Sequence, residues 1–339
     1  MRQPVVSIIT PSYNRADVVR ETADSILAQT YPHWEWVIVD DGSTDGSFDL
    51  LASMARTDER IRLLRRDREP KGACTCRNIG VLRSKGSHLL FLDTDDILSP
   101  HCLERRVAAA ATAPESDFII FPMLMFRSRL DDMNLLWNTD SGVDDLERIL
   151  SGDAICQGTG TLWRKDSFVR VGMWDESLVL WQDVELHLRS LLSGLVYTKR
   201  MDLPPDVYLR VSYVSISRTG FHSPEKIDSR IRVLGSTINQ MVGQGLMERY
   251  RTALRHMYTD IFLSAANGRQ AALLGRLRTL EAGWGLFLSS ERRVFQAYAI
   301  MQIFRLYKFS ALKRYLTGRI RSFVPQRPSN IGKVAYEPS

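Results

Sequence analysis

The sequence predicts an α/β protein: a doubly wound, mostly parallel sheet continued by a helical C-terminal region. Three observations carry that prediction. Short apolar runs alternate with helix-periodic text through the first hundred residues. Polar and acidic residues end those runs, and from about Asp228 onward the text is almost wholly helical.

Residues 5–10 (VVSIIT) form the first apolar run, stopped at Pro11 and read as a buried strand. Val18, Val19, Thr22, Ala23, Ile26 and Leu27 then share one helical face, with Asn14 as the expected N-cap. Residues 34–39 (WEWVIV) are the second strand, followed by a helix over 46–56 and a third strand at 61–64. Residues 72–84 read as a loop entering a helix, and 88–92 (HLLFL) as a fourth strand. Beyond Pro100 the pattern loosens. Strands are expected at 118–126 and 158–163 and a helix at 183–192, with Gly243, Gly245 and Gly268 as breaks in the helical region.

Composition narrows the classes. At 339 residues the chain has room for one large core and a smaller appended unit. Its four cysteines (Cys74, Cys76, Cys102, Cys156) have no paired zinc spacing and are too few for a disulfide scaffold, which fits a reducing compartment. The opening MRQPVVSIIT lacks the apolar core and cleavage site of a signal peptide, and no run of about 18 apolar residues predicts a spanning helix. A cytoplasmic chain is expected. The net charge of +6 is uneven: residues 292–324 hold eight basic and no acidic residues, so they carry +8 and the remainder −2.

Ligands of doubly wound sheets bind beyond the carboxyl ends of the strands. Here those ends read Thr10-Pro11-Ser12-Tyr13-Asn14-Arg15, Asp40-Asp41 and Asp93-Thr94-Asp95-Asp96. Carboxylates gathered on one rim repel unless they face a cation or a ligand. Asp93–Asp96 suits a hard divalent cation through one side chain and a ribose hydroxyl through another, though an acidic turn capping the next helix has the same composition.

The blocks VSIITPSYNR, VDDGSTDGS, ACTCRNIG and FLDTDDILSP, in this order, resemble the inverting GT-A glycosyltransferases of the large bacterial family 2 type, which includes chondroitin polymerase and many polysaccharide assembly enzymes. The resemblance is close over residues 5–105 and weaker to about Arg218. It implies a GT-A catalytic part over 1–220, with a nucleotide-sugar half (1–105) and an acceptor half (106–220), followed by helices over 221–339. By the same resemblance Thr10, Pro11, Tyr13 and Asn14 line the base and ribose pocket. Asp41 accepts from a base imide, as in uracil or thymine, and Arg77 lies beside the base or diphosphate. Asp93 holds the ribose, Asp95 binds Mn2+ or Mg2+, and Asp96 supports the loop. Plain packing remains an alternative for Tyr13, and a surface ion pair for Arg77.

Displacement at an anomeric carbon needs a base for the acceptor hydroxyl. Asp183 occupies the family's base position, but Gln182 stands where Glu is usual. Asp183 is also well placed to cap its helix. Gln182, Trp174 and Trp181 are the expected acceptor contacts, the two tryptophans being equally readable as core. Relatives often carry a metal-binding His where this chain has Ser212. His222 is then a candidate ligand, and Arg210 and Arg218 are candidates to hold the diphosphate.

The basic, aromatic-rich segment 292–324 reads either as a packed helical or dimer interface with a solvated face, or as a peripheral contact with the inner membrane surface. No nucleic-acid module accompanies its charge. The acceptor expected from the resemblance is a glycan or lipid-linked glycan. A donor-binding module without catalysis remains an alternative because of Gln182 and Ser212. A sugar-phosphate nucleotidyltransferase is disfavoured, since Thr10–Arg15 contains no glycine for a phosphate loop.

Overall fold

The computed structural model describes residues 5–211, 220–306, 310–324 and 335–336. The alternating first part is β1 (Val6–Ser12), α1 (Val19–Leu27), β2 (Trp34–Asp40), α2 (Ser47–Ala55), β3 (Ile61–Arg65), α3 (Ala73–Arg83) and β4 (His88–Phe91). The middle follows as β5 (Ile97–Leu98), α4 (Cys102–Thr112), β6 (Phe118–Ile120), β7 (Met123–Phe126), β8 (Leu135–Leu136) and α5 (Asp145–Leu150). Next come β9 (Thr161–Arg164), α6 (Lys165–Arg170), α7 (Gln182–Leu192), β10 (Tyr197–Lys199) and β11 (Val207–Arg210). Helices then continue the chain: α8 (Pro224–Gly243), α9 (Arg251–Asn267), α10 (Ala271–Trp284), α11 (Ser289–Ile303) and α12 (Ser310–Ser322).

The main sheet runs β10-β6-β9-β4-β1-β2-β3. β1 pairs in parallel with both β2 and β4, and β2 with β3, so three crossovers leave the ends of β1, β2 and β4 on one rim. All seven residues of β2 are buried, and all but Pro11 in β1 (VSIITPS), which explains their continuous rather than alternating apolar text. β9 is the one antiparallel member, lying between β4 and β6.

Several boundaries differ from the sequence expectation. The 118–126 run is two strands in two sheets: β6 joins the main sheet, while β7 joins a second sheet of order β5-β11-β7-β8. Pro122, with no N–H to donate, sits at the break. The 158–163 run begins as a 3-10 turn over Gly158–Gly160 and becomes strand only at Thr161. Asn14 does not cap α1. It is left-handed (φ 51°), and its Oδ1 accepts from the Thr44 amide at 2.8 Å. The N-terminal residue Val18 leaves α1 without a side-chain cap.

α8 begins with Ser223, whose hydroxyl accepts from the Lys226 amide, followed by Pro224. α7 packs on α8, and α5 on α9, so the helical region docks on the second half of the α/β part. One apolar core runs without interruption from Val6 to Ile320. In it Phe118 is stacked between Trp163 (4.3 Å) and Tyr197 (5.2 Å).

Candidate active site

At the ends of β1 and β2 the chain builds a polar shelf. Thr10 is fully buried and its hydroxyl accepts from the Trp36 indole at 2.9 Å, so its side chain belongs to the sheet and does not line a pocket. Pro11 is partly exposed and Tyr13 exposed, with the Lys71 ammonium 3.8 Å from the Tyr13 ring centre. Asp40 accepts from the amides of Gly42 and Ser43 and shapes the turn, where Gly42 adopts φ 88°. Asp41 is buried and paired with Arg66 at 2.6 Å. Arg66 was not singled out from the sequence. The signal was the basic text RLLRRDR at the end of β3, the strand in register with β2.

The loop after β4 is the second part. Asp93 accepts from Arg77 at 2.6 Å, and Asp95 lies 3.9 Å from Arg15. Burial and the neighbouring Asp93 charge raise the Asp95 carboxyl above the usual range. Asp96 is fully engaged in structure: it accepts from the Arg210 amide (3.1 Å) and the Thr159 hydroxyl (3.1 Å), and burial followed by the Asp95 and Asp93 charges pushes it well up. From α1, Thr22 donates to the carbonyls of Thr94 and Asp96.

Asp93 and Asp95 thus supply two carboxylates with no structural duty comparable to that of Asp96. A hard cation bound by one or two carboxylates and completed by substrate phosphates fits this set. No cluster of three or more His, Cys, Asp or Glu suited to a metal exists among the described residues. Other expected contributors fall away. His222 is hydrogen-bonded through Nδ1 to Ser264 on α9, in the helical region. The Arg210 guanidinium is taken up by the Asp95 carbonyl, Glu21 and the face of Phe126, so it braces the loop and is not free for a diphosphate. Ser212 and Arg218 lie outside the described residues.

Asp183 is the third part. It is the second residue of α7, behind Trp181 in a left-handed conformation (φ 63°). Its side chain does not cap the helix; Oδ1 accepts from the Gly158 amide at 2.7 Å. A side chain at 158 would crowd both Asp183 Oδ1 and the Trp174 ring, each 3.3 Å from a Cβ there. Burial raises the Asp183 carboxyl, and Arg77 pulls it back in part.

Arg77 joins these parts. Buried over the Trp174 ring, it donates to Asp93 and, at 3.1 Å, to Gln182 Oε1. Gln182 also donates to the Leu178 carbonyl at 2.9 Å, so its amide bridges α7 to the donor side. Trp174 is only 3% exposed, with its ring edge-on to Phe91, and takes the core alternative over a sugar contact. Trp181 keeps a partly exposed ring.

Four supports escaped the sequence. Arg106 and Asp206 form a bidentate pair, both fully buried, and Arg106 also donates to the Thr159 carbonyl at 2.8 Å. Thr159 is therefore held by Arg106 and Asp96 while its neighbour Gly158 holds Asp183: one three-residue turn links the loop after β4 to the start of α7. Ser229 on α8 accepts from the Leu180 amide (3.2 Å) and donates to the Leu180 carbonyl (2.7 Å), fixing the turn before Asp183. Glu176 accepts from Arg68 and Asn78, tying the loop after β3 to the acceptor half. Beneath Asp183, the Cys156 thiol lies 3.2 Å from His187 Nε2; burial lowers the His187 imidazole to about 4 and raises the thiol, so the pair is neutral.

Comparison with known proteins completes this description. The model of glycosyl transferase family 2 matches residues 7–172. A PGL/p-HBAD biosynthesis glycosyltransferase of Mycobacterium bovis is 30% identical over 201 residues, 59% of this chain and 75% of that one. The chain belongs to glycosyl transferase family 2. A Bacillus subtilis protein provisionally named as a teichuronic acid biosynthesis glycosyltransferase is 44% identical over 105 residues, 31% of this chain and 41% of its own length. The chain thus spans less than half of that relative. S. aureus TarS 1-349, crystallised in complex with UDP-GlcNAc, superposes with a TM-score of 0.62 at 16% identity, covering 98% of this chain and 99% of that one. The shared fold is the α/β GT-A architecture with a helical C-terminal region. A Pyrobaculum calidifontis mannosyltransferase in complex with GDP-Man and Mn2+ gives a TM-score of 0.51 at 18% identity, covering 94% and 86%.

Proposed function

We propose that this family 2 protein transfers a hexosyl group from a UDP-linked donor to a hydroxyl of a glycan or lipid-linked glycan, with inversion in a single displacement. The observation that carries the reading is the position of Asp183: a partly exposed carboxylate of raised pKa, held by the Gly158 amide and joined to Asp93 through Gln182 and Arg77. That arrangement suits a base that takes the acceptor proton while the donor is held on the Asp93 side. Asp41, held in place by Arg66, would accept from the imide of uracil. UDP-GlcNAc in the TarS complex supports a UDP donor.

Asp95, with Asp93 beside it, would hold a divalent cation, Mn2+ or Mg2+, which when bound offsets charge on the departing diphosphate. Arg77 and Arg15 add positive charge on the same side. On this reading the chain works in the cytoplasm at the inner face of the membrane, where segment 292–324 makes a peripheral contact. No helix among the described residues is long and apolar enough to cross a membrane.

A thermal-shift screen of UDP-, GDP- and dTDP-sugars with and without Mn2+, followed by slow-hydrolysis assays on the best donor, tests the proposal. The expected result is stabilisation by a UDP-sugar that depends on Mn2+, with measurable hydrolysis. Stabilisation without any hydrolysis or transfer would favour a donor-binding module in which Gln182 marks lost catalysis. No response to any nucleotide sugar would remove the donor assignment.

A further inference from the structure

The C-terminal helices present a surface that the transfer chemistry does not use. α11 buries Phe295, Tyr298 and Met301 against α9, and α12 buries Leu316 and Ile320. Those residues satisfy the packing demands of both helices. Yet Ile300, Phe304, Leu306, Leu312 and Tyr315 remain exposed, Phe304 at 69% and Tyr315 at 62%. On α12 the exposed Leu312 and Tyr315 are three residues apart and share a face, while Leu316 and Ile320 form the buried stripe. Ile300 also lines an apolar cavity of about 240 Å³ between α9, α10 and α11, so the exposed strip continues into the interior.

The charge around this strip is of one sign. From Arg292 to Val324 there is no acidic residue. Arg292 alone has an acidic partner, Glu281 at 2.7 Å; among the described residues no carboxylate pairs with Arg293, Arg305, Lys313, Arg314, Arg319 or Arg321. Elsewhere in the fold arginines are mostly paired, as Arg66, Arg68, Arg77 and Arg106 are. Uncompensated cations interleaved with exposed aromatic and aliphatic side chains match an anionic bilayer surface, where apolar groups enter the acyl boundary and cations remain among headgroups. A second copy of the chain meeting through this same face would set like charge against like. A nucleic acid would gain little from Leu306, Leu312 or Ile300.

We propose that α11 and α12 dock this protein on an anionic phospholipid surface, with Phe304, Leu306, Leu312 and Tyr315 entering the acyl boundary and Arg305, Lys313 and Arg314 contacting headgroups. This deepens the peripheral contact in the functional reading and rests on that reading only for its purpose, to bring the active site to a lipid-linked acceptor. Its evidence is separate.

The test is flotation of the full chain with vesicles of phosphatidylglycerol and phosphatidylcholine, against phosphatidylcholine alone, at 0.1 and 1 M salt. Binding to the anionic vesicles is expected, with loss at high salt as screening shortens from roughly 10 to roughly 3 Å. Lys313→Gln/Arg314→Gln should weaken the partition roughly thirtyfold, the loss of two headgroup cations. Phe304→Ser/Tyr315→Ser should weaken it as well, and all four positions are exposed, so the fold should survive. Absence of flotation at 0.1 M salt, equal flotation with neutral vesicles, or unchanged binding by either double variant would overturn the proposal. So would a wild-type chain that binds a soluble polyanion as tightly as vesicles, with the aromatic variant unaffected. UDP-sugar hydrolysis without vesicles, measured on the same preparations, separates the two readings. Hydrolysis without flotation removes only the docking, and flotation without hydrolysis removes only the catalytic assignment.

Discussion

The carboxylates on the two sides of this site are held in opposite ways. At the ends of β2 and β4 Asp41 and Asp93 each meet an arginine at 2.6 Å. At the start of α7 Asp183 is partly exposed, receives the Gly158 N–H and has no direct ion pair, and its pKa rises. A guanidinium fixes a carboxylate in place, as binding a base or a ribose would require. A general base has to accept a proton, so burial without a direct ion pair is the better setting for it. Asp95 lies between these cases: its nearest cation, Arg15, is 3.9 Å away, and burial with the Asp93 charge leaves its pKa raised. That is the residue a divalent cation would relieve.

The largest expected effect comes from removing what joins the two sides. Arg106→Met leaves Asp206 buried without its partner and releases the Thr159 carbonyl. A stability loss of about 3–5 kcal/mol is expected in denaturant titration; a loss below about 1 kcal/mol would show that the pair does not hold this turn. Next, Asp95→Ala should weaken Mn2+-dependent donor binding by tenfold or more, about 1.4 kcal/mol per factor of ten. A chelator should weaken the wild type in the same way and leave the variant unchanged by calorimetry.

The contrast can be sharpened by pH. The proposed base works only as a carboxylate, so activity should fall as pH drops through its folded pKa, which burial places above an ordinary Asp at roughly 3.9. Arg77 lowers that pKa, so Arg77→Gln should move the acid limb of kcat to higher pH, whatever it does to donor affinity. An unmoved limb would detach Arg77 from Asp183. The smallest effect is Ser229→Ala, which removes two hydrogen bonds to Leu180 from a helix of the C-terminal region. About 1 kcal/mol of stability and a several-fold drop in kcat with little change in donor KM are expected. Ser229→Thr should restore part of it.

The first strands were legible because their ends are marked by abrupt changes from apolar to acidic text. VSIITPS and WEWVIVD announced β1 and β2 to within two residues. The supports of the later part were not, since they are contacts between distant positions. Nothing in the neighbourhood of Arg106 names Asp206, a hundred residues away, and nothing near Leu180 names Ser229. Residues 118–126 were read as one strand because apolar continuity hides a break at a single proline, while the split into two sheets is decided by β9 and β11 arriving later in the chain. Thr10 shows the converse error: a polar residue at a strand end looked like a pocket wall, but its hydroxyl serves Trp36.

Paired measurement of donor binding and turnover on Asp183→Asn probes the account at its centre. UDP-sugar with Mn2+ would be titrated by calorimetry into wild type and variant, and transfer followed on the same samples. The account predicts donor affinity within about threefold of wild type and turnover lower by roughly 10²–10⁴. Turnover within a few-fold of wild type, or loss of donor binding together with turnover, would contradict it.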